Sequence, residues 1–484
     1  MREIEPFFVG RTFDDFLFRP QHSKVGSRRQ VDLTMPLAPG IDLTLPVVGA
    51  NMDTVVGAEM AKTLALEGAL GFLHRNCPIA EQADRVQYVK SRHSYVIERP
   101  VVLERTATIA QARQTIRLQH ASGILIEEAK GSGLLAGILS HRDMPLDRGA
   151  EDRPVSDFMT PRPRLVTRPP SVTIDEAERV MFEHRVEKLP LVDETNRIRG
   201  LVTMRDLKLY KQKPYSSKDA RGRLRVGAAI GAVGDYLERA EALLAEEADV
   251  VLLDVAHADS AVVEGAVKKF RHRFPEAPLV VGNVATLEAA RWLAGLGVAA
   301  VKVGVGPGRG CRTRLETAAG VPQLQAVREA WLGTEGRVPI VADGGVQNDK
   351  DAFLAIACGA STVMLGSMLA GTDESPGIVV EDPATRQKVK LYRGMTSPEA
   401  VAEGAGDYEE AAEALRTPAE GQSVRVPYVG SVVAILARLR GHLQSAVSYA
   451  GEGDLRSAHD KIAAEPGKYL IPLTEASRRE SFVR

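Results

Sequence analysis

Cysteine is scarce in this chain. Only 3 occur in 484 residues, Cys77, Cys311 and Cys358, and they are far apart. No pair has metal-ligand spacing and three thiols make no disulfide framework, which argues against a zinc module or a stapled secreted domain and fits a reducing cytosol. Excess charge is also missing. The 62 basic and 63 acidic residues leave a formal net charge of -1, which speaks against a nucleic-acid surface but not against a small phosphorylated ligand. No run of about 18 apolar residues occurs, so no membrane span is expected. The opening Met1-Arg2-Glu3-Ile4-Glu5-Pro6 has acidic residues and no apolar core, so no signal peptide is expected, and the reading is cytoplasmic.

Short apolar runs alternate with amphipathic stretches. The runs are Leu45–Ala50, Ala69–Leu73, Val226–Ile230, Val250–Val255, Leu279–Val281, Ala300–Gly304, Pro339–Ala342 and Thr362–Leu365. Helical patterns such as Thr286–Leu296 and Asp349–Cys358 lie between them. This βα alternation predicts a parallel sheet, and eight units predict a closed (β/α)8 barrel of the TIM type. The spacing breaks once, by about 150 residues after the second run, far more than a βα connection needs. The intervening chain repeats itself. Thr108-Ile109-Ala110-Gln111-Ala112 is echoed by Thr173-Ile174-Asp175-Glu176-Ala177, and Gly137–Met144 by Gly200–Leu207. Two similar modules inserted in a barrel loop are expected. The predicted division is 1–94 for the first part of the barrel, 95–212 for the insertion (repeats of about 95–150 and 151–212), and 213–484 for the rest. Residues 160–164 read as a hinge, 211–218 as a return linker, and 396–421, acidic and Ala-rich, as a flexible flap.

Barrel sites lie at the C-terminal ends of the strands. Asp254, Ala256, His257 and Asp259 follow the fourth run, Asn283 the fifth, Asp343-Gly344-Gly345 the seventh and Gly366-Ser367 the eighth. Four glycines and a proline fill the loop from Gly304 to Cys311 after the sixth. Such a loop frees backbone N–H groups to face an anion. Arg312 and Arg314, with Arg309 close by, suggest positive charge beside the thiol, which favours thiolate. Cys311 is therefore a candidate nucleophile, and a buried inert thiol in a structural turn accounts equally well for a lone cysteine. The glycines after the seventh and eighth runs fit a phosphate site or two ordinary turns, and Asp254 a ligand contact or a helix cap. Glu420, beside the flap, is a candidate proton carrier.

Taken jointly, Asn51-Met52-Asp53-Thr54-Val55, Gly282–Thr286, Lys302-Val303-Gly304, Ala342–Gly345, Gly366–Gly371 and Tyr392-Arg393-Gly394-Met395 resemble, in order, the motifs of the IMP dehydrogenase/GMP reductase family. The inserted repeat resembles a tandem CBS (Bateman) domain. The resemblance implies that Cys311 attacks purine C2, with Thr313 and Glu420 handling protons. It implies a substrate site formed by Asp343, Gly344, Gly345, Gly366, Ser367, Tyr392, Gly394, Met395, Asn283 and Arg309, and a cofactor side at Asp254, Ala256 and His257. Carbonyls of Gly306, Gly308 and Cys311 match a potassium site. Ser140 with Asp143 and Thr203 with Asp206 match the CBS positions that contact regulatory nucleotides, ATP or GTP. A homotetramer or octamer is implied as well.

Two chemistries share these motifs. One is NADPH-dependent reductive deamination of GMP to IMP. The other is NAD-dependent oxidation of IMP. In the dehydrogenases an Arg-Tyr pair in the flap activates water, but this chain reads Gly406-Asp407-Tyr408-Glu409, and an aspartate reproduces neither the charge nor the donors of arginine. Asn51-Met52-Asp53, Ala419–Pro427 and Ser448-Tyr449-Ala450-Gly451 are reductase-like, whereas the CBS pair and His257 are commoner among dehydrogenases. The combination is most similar to the CBS-containing GMP reductases of actinobacteria, so GMP reductase is the expected activity and IMP dehydrogenase the alternative. Arg309 stands where the family usually has serine, and Arg312 where it has threonine. Arginine binds phosphate bidentately where geometry allows.

Overall fold

Alternating residues of eight short strands face two different cores, and that period of two builds the barrel. The strands are β1 (Val47–Gly49), β2 (Leu70–Leu73), β3 (Gly227–Ile230), β4 (Val250–Asp254), β5 (Leu279–Val284), β6 (Ala300–Val303), β7 (Ile340–Asp343) and β8 (Thr362–Leu365). All pair in parallel, and β8 closes on β1 through Val363↔Val47 and Leu365↔Gly49. Val250, Leu252, Val280, Ala300, Val341 and Met364 fill the interior, while Val251, Leu253, Val281, Val301, Val303 and Ala342 join the core beneath the helices. Strands buried on both faces read as continuous apolar runs, which is why the sequence pattern revealed them. The computed structural model describes residues 3–92, 95–119, 123–145, 147–404, 416 and 418–482.

The helices start where polar side chains cap them. Ser260, Thr286 and Asn348 accept from Val263, Ala289 and Asp351 amides at the heads of Ala261–Arg273, Leu287–Gly295 and Asp349–Ala357. β5 runs three residues beyond the expected apolar run and so places Asn283 inside the strand rather than after it. Likewise Asp254 and Asp343 are the last residues of their strands. Asp254 caps no helix.

The chain divides into two compact units, residues 1–92 with 215–484 and residues 93–214. In the second unit each repeat supplies a helix and two antiparallel strands. These are Ile109–Gln119, Gly123–Glu127 and Leu135–Ser140, then Ile174–Glu183, Lys188–Val192 and Ile198–Thr203. Leu125, Leu135 and Ile138 of the first repeat share a core with Val192 and Leu201 of the second. Residues 160–164 are not the expected hinge. Thr160 and Pro161 pair with Ile138 and Gly137, and Arg162 Nε donates to Asn196 Oδ1 at 2.6 Å, so the segment is a sheet edge. The expected return linker is tied down too. The helix Met204–Gln212 occupies its start, and Ser217 N donates to Ala65 O at 2.7 Å. No helix among the described residues is long and apolar enough to cross a membrane.

Candidate active site

A cavity of about 560 Å³ opens at the C-terminal ends of the barrel strands, a size that suits a nucleotide-scale ligand. Of the barrel residues to which the family resemblance assigns a catalytic, substrate, cofactor or cation role, all but one line it, whereas Asp259, Arg312 and Arg314 do not. The exception is His257, which is exposed beyond Ala256. The flap residues Asp407 and Tyr408 lie outside the described residues. The part of the flap that is described includes a helix, Pro398–Gly404.

The loop after β6 turns sharply. Gly306 adopts φ +79°, and a side chain there would run into Arg314. Gly344 after β7 has φ +88°, and its α-carbon lies so close to Pro307 and Gly308 that no side chain fits. These two positions draw the loops together over the cavity. The Cys311 loop is then pinned from the opposite side. Arg312 N donates to Glu420 O at 2.7 Å and Gln422 N to Gly310 O at 2.9 Å, forming a short antiparallel bridge between Cys311 and Gly421. That pairing brings together groups 107 residues apart. Cys311 Sγ donates to Thr313 Oγ1 at 3.1 Å, and Thr313 Oγ1 donates to Glu420 Oε2 at 2.7 Å. The two bonds point the same way, from thiol through hydroxyl to an acceptor-only carboxylate, which is the arrangement a proton relay requires.

The arginines expected beside the thiol are engaged elsewhere. Arg312 forms an i,i+4 ion pair with Glu316 at 2.6 Å. Arg314 donates to the carbonyl oxygens of Val305 (3.1 Å) and Val321, and remains within electrostatic range of Cys311. Backbone carbonyls compete for its donors, so Thr313 and not a guanidinium holds the thiol. Arg309 is exposed and lines the cavity. Its charge also acts on Tyr392, a buried phenol that comes from the strand Lys388–Arg393 and stands beside Gly366. Burial, and then the Asp343 charge, push the Tyr392 hydroxyl well above its ordinary range, so at neutral pH it is a neutral donor facing the Gly366-Ser367 turn.

Across the cavity floor runs a polar network that joins three residues assigned to the site, Asp254, Asn283 and Asp343, to two that were not, Lys302 and Asn51. Lys302, almost wholly buried on the inner face of β6, reaches Asp254 Oδ1 at 2.8 Å and Asp343 Oδ2 at 2.5 Å. Asn51 Nδ2 donates to Asp254 Oδ2 at 2.8 Å. Asn283 Nδ2 donates to Asp343 Oδ2 at 2.9 Å and to Gly304 O at 2.6 Å. Burial alone would raise the Asp254 carboxyl, but the Lys302 ammonium and the Asn51 amide outweigh it and hold it below its usual value. The buried Gln323 side chain donates to the carbonyl oxygens of Val303 (2.8 Å) and Asp343 (3.1 Å), tying β6 to β7. A lysine at an inward position of an apolar strand was the available signal for Lys302. Asn51 stood in a family motif without an assigned role, and nothing local marked Gln323.

Behind the site, at the end of β2, His74 is buried and accepts from Arg85 at 2.6 Å, so its imidazole is neutral. Burial first, and the Arg85 charge second, bring it down to about 4. The unfolded imidazole titrates near 6.5, so the unfolded chain binds more protons between these values. Stability is therefore lost as pH falls from about 6.5 towards 4. We expect His74 to cost about 2 kcal/mol between pH 7 and pH 5. Urea unfolding of His74→Asn at the two pH values should show that much less dependence, and an unchanged slope would remove His74 as its source.

Fold and site together define a class, a (β/α)8 barrel with a cysteine held in a glycine loop over the cavity at the C-terminal ends of its strands. Residues 10–484 match the IMP dehydrogenase / GMP reductase domain, and the chain belongs to that family. It is 42% identical over 481 residues to inosine-5'-monophosphate dehydrogenase of Nitrosopumilus maritimus, covering 98% of each chain. It is 40% identical over 479 residues to that of Aquifex aeolicus, covering 98% of this chain and 95% of the relative. Among solved structures it resembles a cysteine-to-alanine variant of GMP reductase from Trypanosoma brucei in complex with guanosine 5'-monophosphate, with TM-score 0.86 and 36% identity over 98% of this chain and 97% of that one. It also resembles the enzyme from the same organism in complex with guanosine 5'-triphosphate, with TM-score 0.78 and 32% identity over 96% and 98%.

Proposed function

We propose that this chain is a GMP reductase, converting GMP to IMP and ammonia with NADPH. The observation that carries the reading is the directed relay from Cys311 through Thr313 to Glu420. The Cys311 sulfur adds to purine C2, and its proton passes to Thr313 and Glu420. Glu420 returns a proton through Thr313 to the departing 2-amino group, so the C2–N bond breaks and ammonia leaves. A nicotinamide cofactor bound beside Asp254 and Ala256 would supply hydride chemistry at C2, and Cys311 would be the group released as thiolate when IMP leaves. Asp343 accepts from the ribose hydroxyls, and the phosphate lies among Gly345, Gly366, Ser367, Arg309 and the neutral Tyr392 hydroxyl. Asp254 and Ala256 take the dinucleotide side. Asn283 Oδ1, buried beside Asp343 without a hydrogen-bond donor, is an acceptor that suits an N–H or O–H of the nucleotide. A potassium ion at Gly306, Gly308 and Cys311 would share the Gly308 oxygen with the Cys311 N–H at 2.9 Å. Three carbonyls of one chain do not close a shell around it, and no step depends on it.

The names of the sequence relatives favour a second reading, oxidation of IMP with NAD. Against it stands Asp407, where the dehydrogenases place the arginine that activates water. Assays crossing GMP and IMP with NADPH and NAD decide the matter. We expect GMP-dependent NADPH oxidation with one ammonia released per turnover. NAD reduction with IMP, without any GMP-dependent NADPH loss, would overturn the reading. In the 93–214 unit, Ser140 Oγ donates to Asp143 at 2.7 Å and Thr203 Oγ1 to Asp206 at 2.5 Å, so the two repeats carry equivalent pairs. We assign these repeats as a CBS pair that binds ATP or GTP and modulates a tetramer or octamer.

A further inference from the structure

We propose that Lys302 is a positioning residue shared by both ligand subsites, its single buried ammonium holding Asp343 on the nucleotide side and Asp254 on the dinucleotide side. The assignment of ligands to these carboxylates rests on the function proposed above. Ala300 is the other inward residue of β6, Gly282 and Val341 are in register with Lys302 on the neighbouring strands, and a buried ammonium without a partner is strongly unfavourable. Lys302 avoids that cost only by contacting both aspartates, at 2.8 and 2.5 Å. The network is not charge-balanced, because two carboxylates face one ammonium. The remaining groups on Asp254 are the Asn51 amide and, at longer range, the Arg75 guanidinium. Those on Asp343 are the Asn283 amide and, at longer range, the Tyr392 phenol. None of these replaces the ammonium in contact. Without Lys302, two neighbouring carboxylates repel across a poorly hydrated floor, and the pair holds a proton to higher pH.

This arrangement predicts a coupled pH signature. In Lys302→Met, KM for nucleotide and for dinucleotide should each rise about tenfold, and the acid limb of kcat/KM should move up by about one pH unit for both substrates together. Lys302→Arg keeps the charge and should leave both limbs where the wild type has them. A residue serving one subsite would move one limb, and a merely structural residue would lower rates without moving either. The test is kcat/KM for each substrate from pH 5.5 to 9 in the wild type and the two variants. Limbs that coincide with wild type in Lys302→Met, or a shift for one substrate alone, would overturn the proposal. Should Lys302→Met fail to fold, Asp254→Asn serves instead. A change on the dinucleotide side then moves the nucleotide limb to lower pH, because Lys302 is left to Asp343 alone, and an unmoved limb sinks the idea. A wild type that turns over neither GMP nor IMP brings down the functional reading and this assignment with it. That result is distinct from an active enzyme whose profile ignores Lys302.

Discussion

Cys311→Ala should lose turnover by roughly 10⁴-fold or more while binding GMP within about threefold of wild type. The asymmetry follows from where the thiol stands. Cys311 sits at the mouth of the loop, with Asp343, Tyr392 and the Gly366-Ser367 turn arranged around the cavity independently of its side chain. Removing one sulfur leaves the groups proposed to hold ribose and phosphate in place. It removes the one thiol among the described lining residues, the group proposed to form a bond to C2 and be expelled again. The loop should also survive, because the bridge to residues 420–422 is made by backbone groups and a β-carbon suffices at position 311. Calorimetric GMP titration beside steady-state NADPH oxidation separates the two effects. Retention of more than about 1% of the wild-type rate would rule out the covalent route, and loss of GMP affinity in step with rate would make Cys311 a binding residue.

Much of this was legible in the sequence, for identifiable reasons. Strands of a closed parallel barrel are buried on both faces, so their apolar runs stand out, and glycine-rich loops mark their C-terminal ends. The insertion was visible because its repeat survives at a nearly fixed offset. Groups whose partners are distant in sequence were not visible by pattern. Thr313 and Glu420 meet through a bridge that no local rule specifies, and only family resemblance placed them together. The misreading of Arg312 is different in kind. Adjacency to Cys311 suggested a charge on the thiol, yet Glu316 stands four residues further on in a short helix, and that i,i+4 pair was readable. Lys302 was hidden by its strand. It was read as part of an apolar run, when a charge at an inward position should have signalled a partner of opposite sign.

Glu420→Gln is expected to lower GMP-dependent NADPH oxidation by about 10²- to 10³-fold, with KM for GMP changed less than about threefold. The amide keeps the shape and can still meet the Thr313 oxygen, but it can no longer accept the thiol's proton or return one to the leaving amine. Thr313→Val should cost a similar factor, because it breaks the same path one bond earlier. The double variant should be little worse than either single one, since two cuts in one relay are not additive. Ammonia release in a single turnover tests this more sharply than steady-state rate, because it isolates C–N cleavage from hydride transfer. If the relay carries the proton, ammonia release slows in step with NADPH oxidation. Were Glu420→Gln to release ammonia at the wild-type rate while oxidising NADPH slowly, Glu420 would be acting after the C–N bond has broken. A loss under about tenfold in both would mean that protons reach the amine by another path and that the 2.7 Å contact between Thr313 and Glu420 only props the loop.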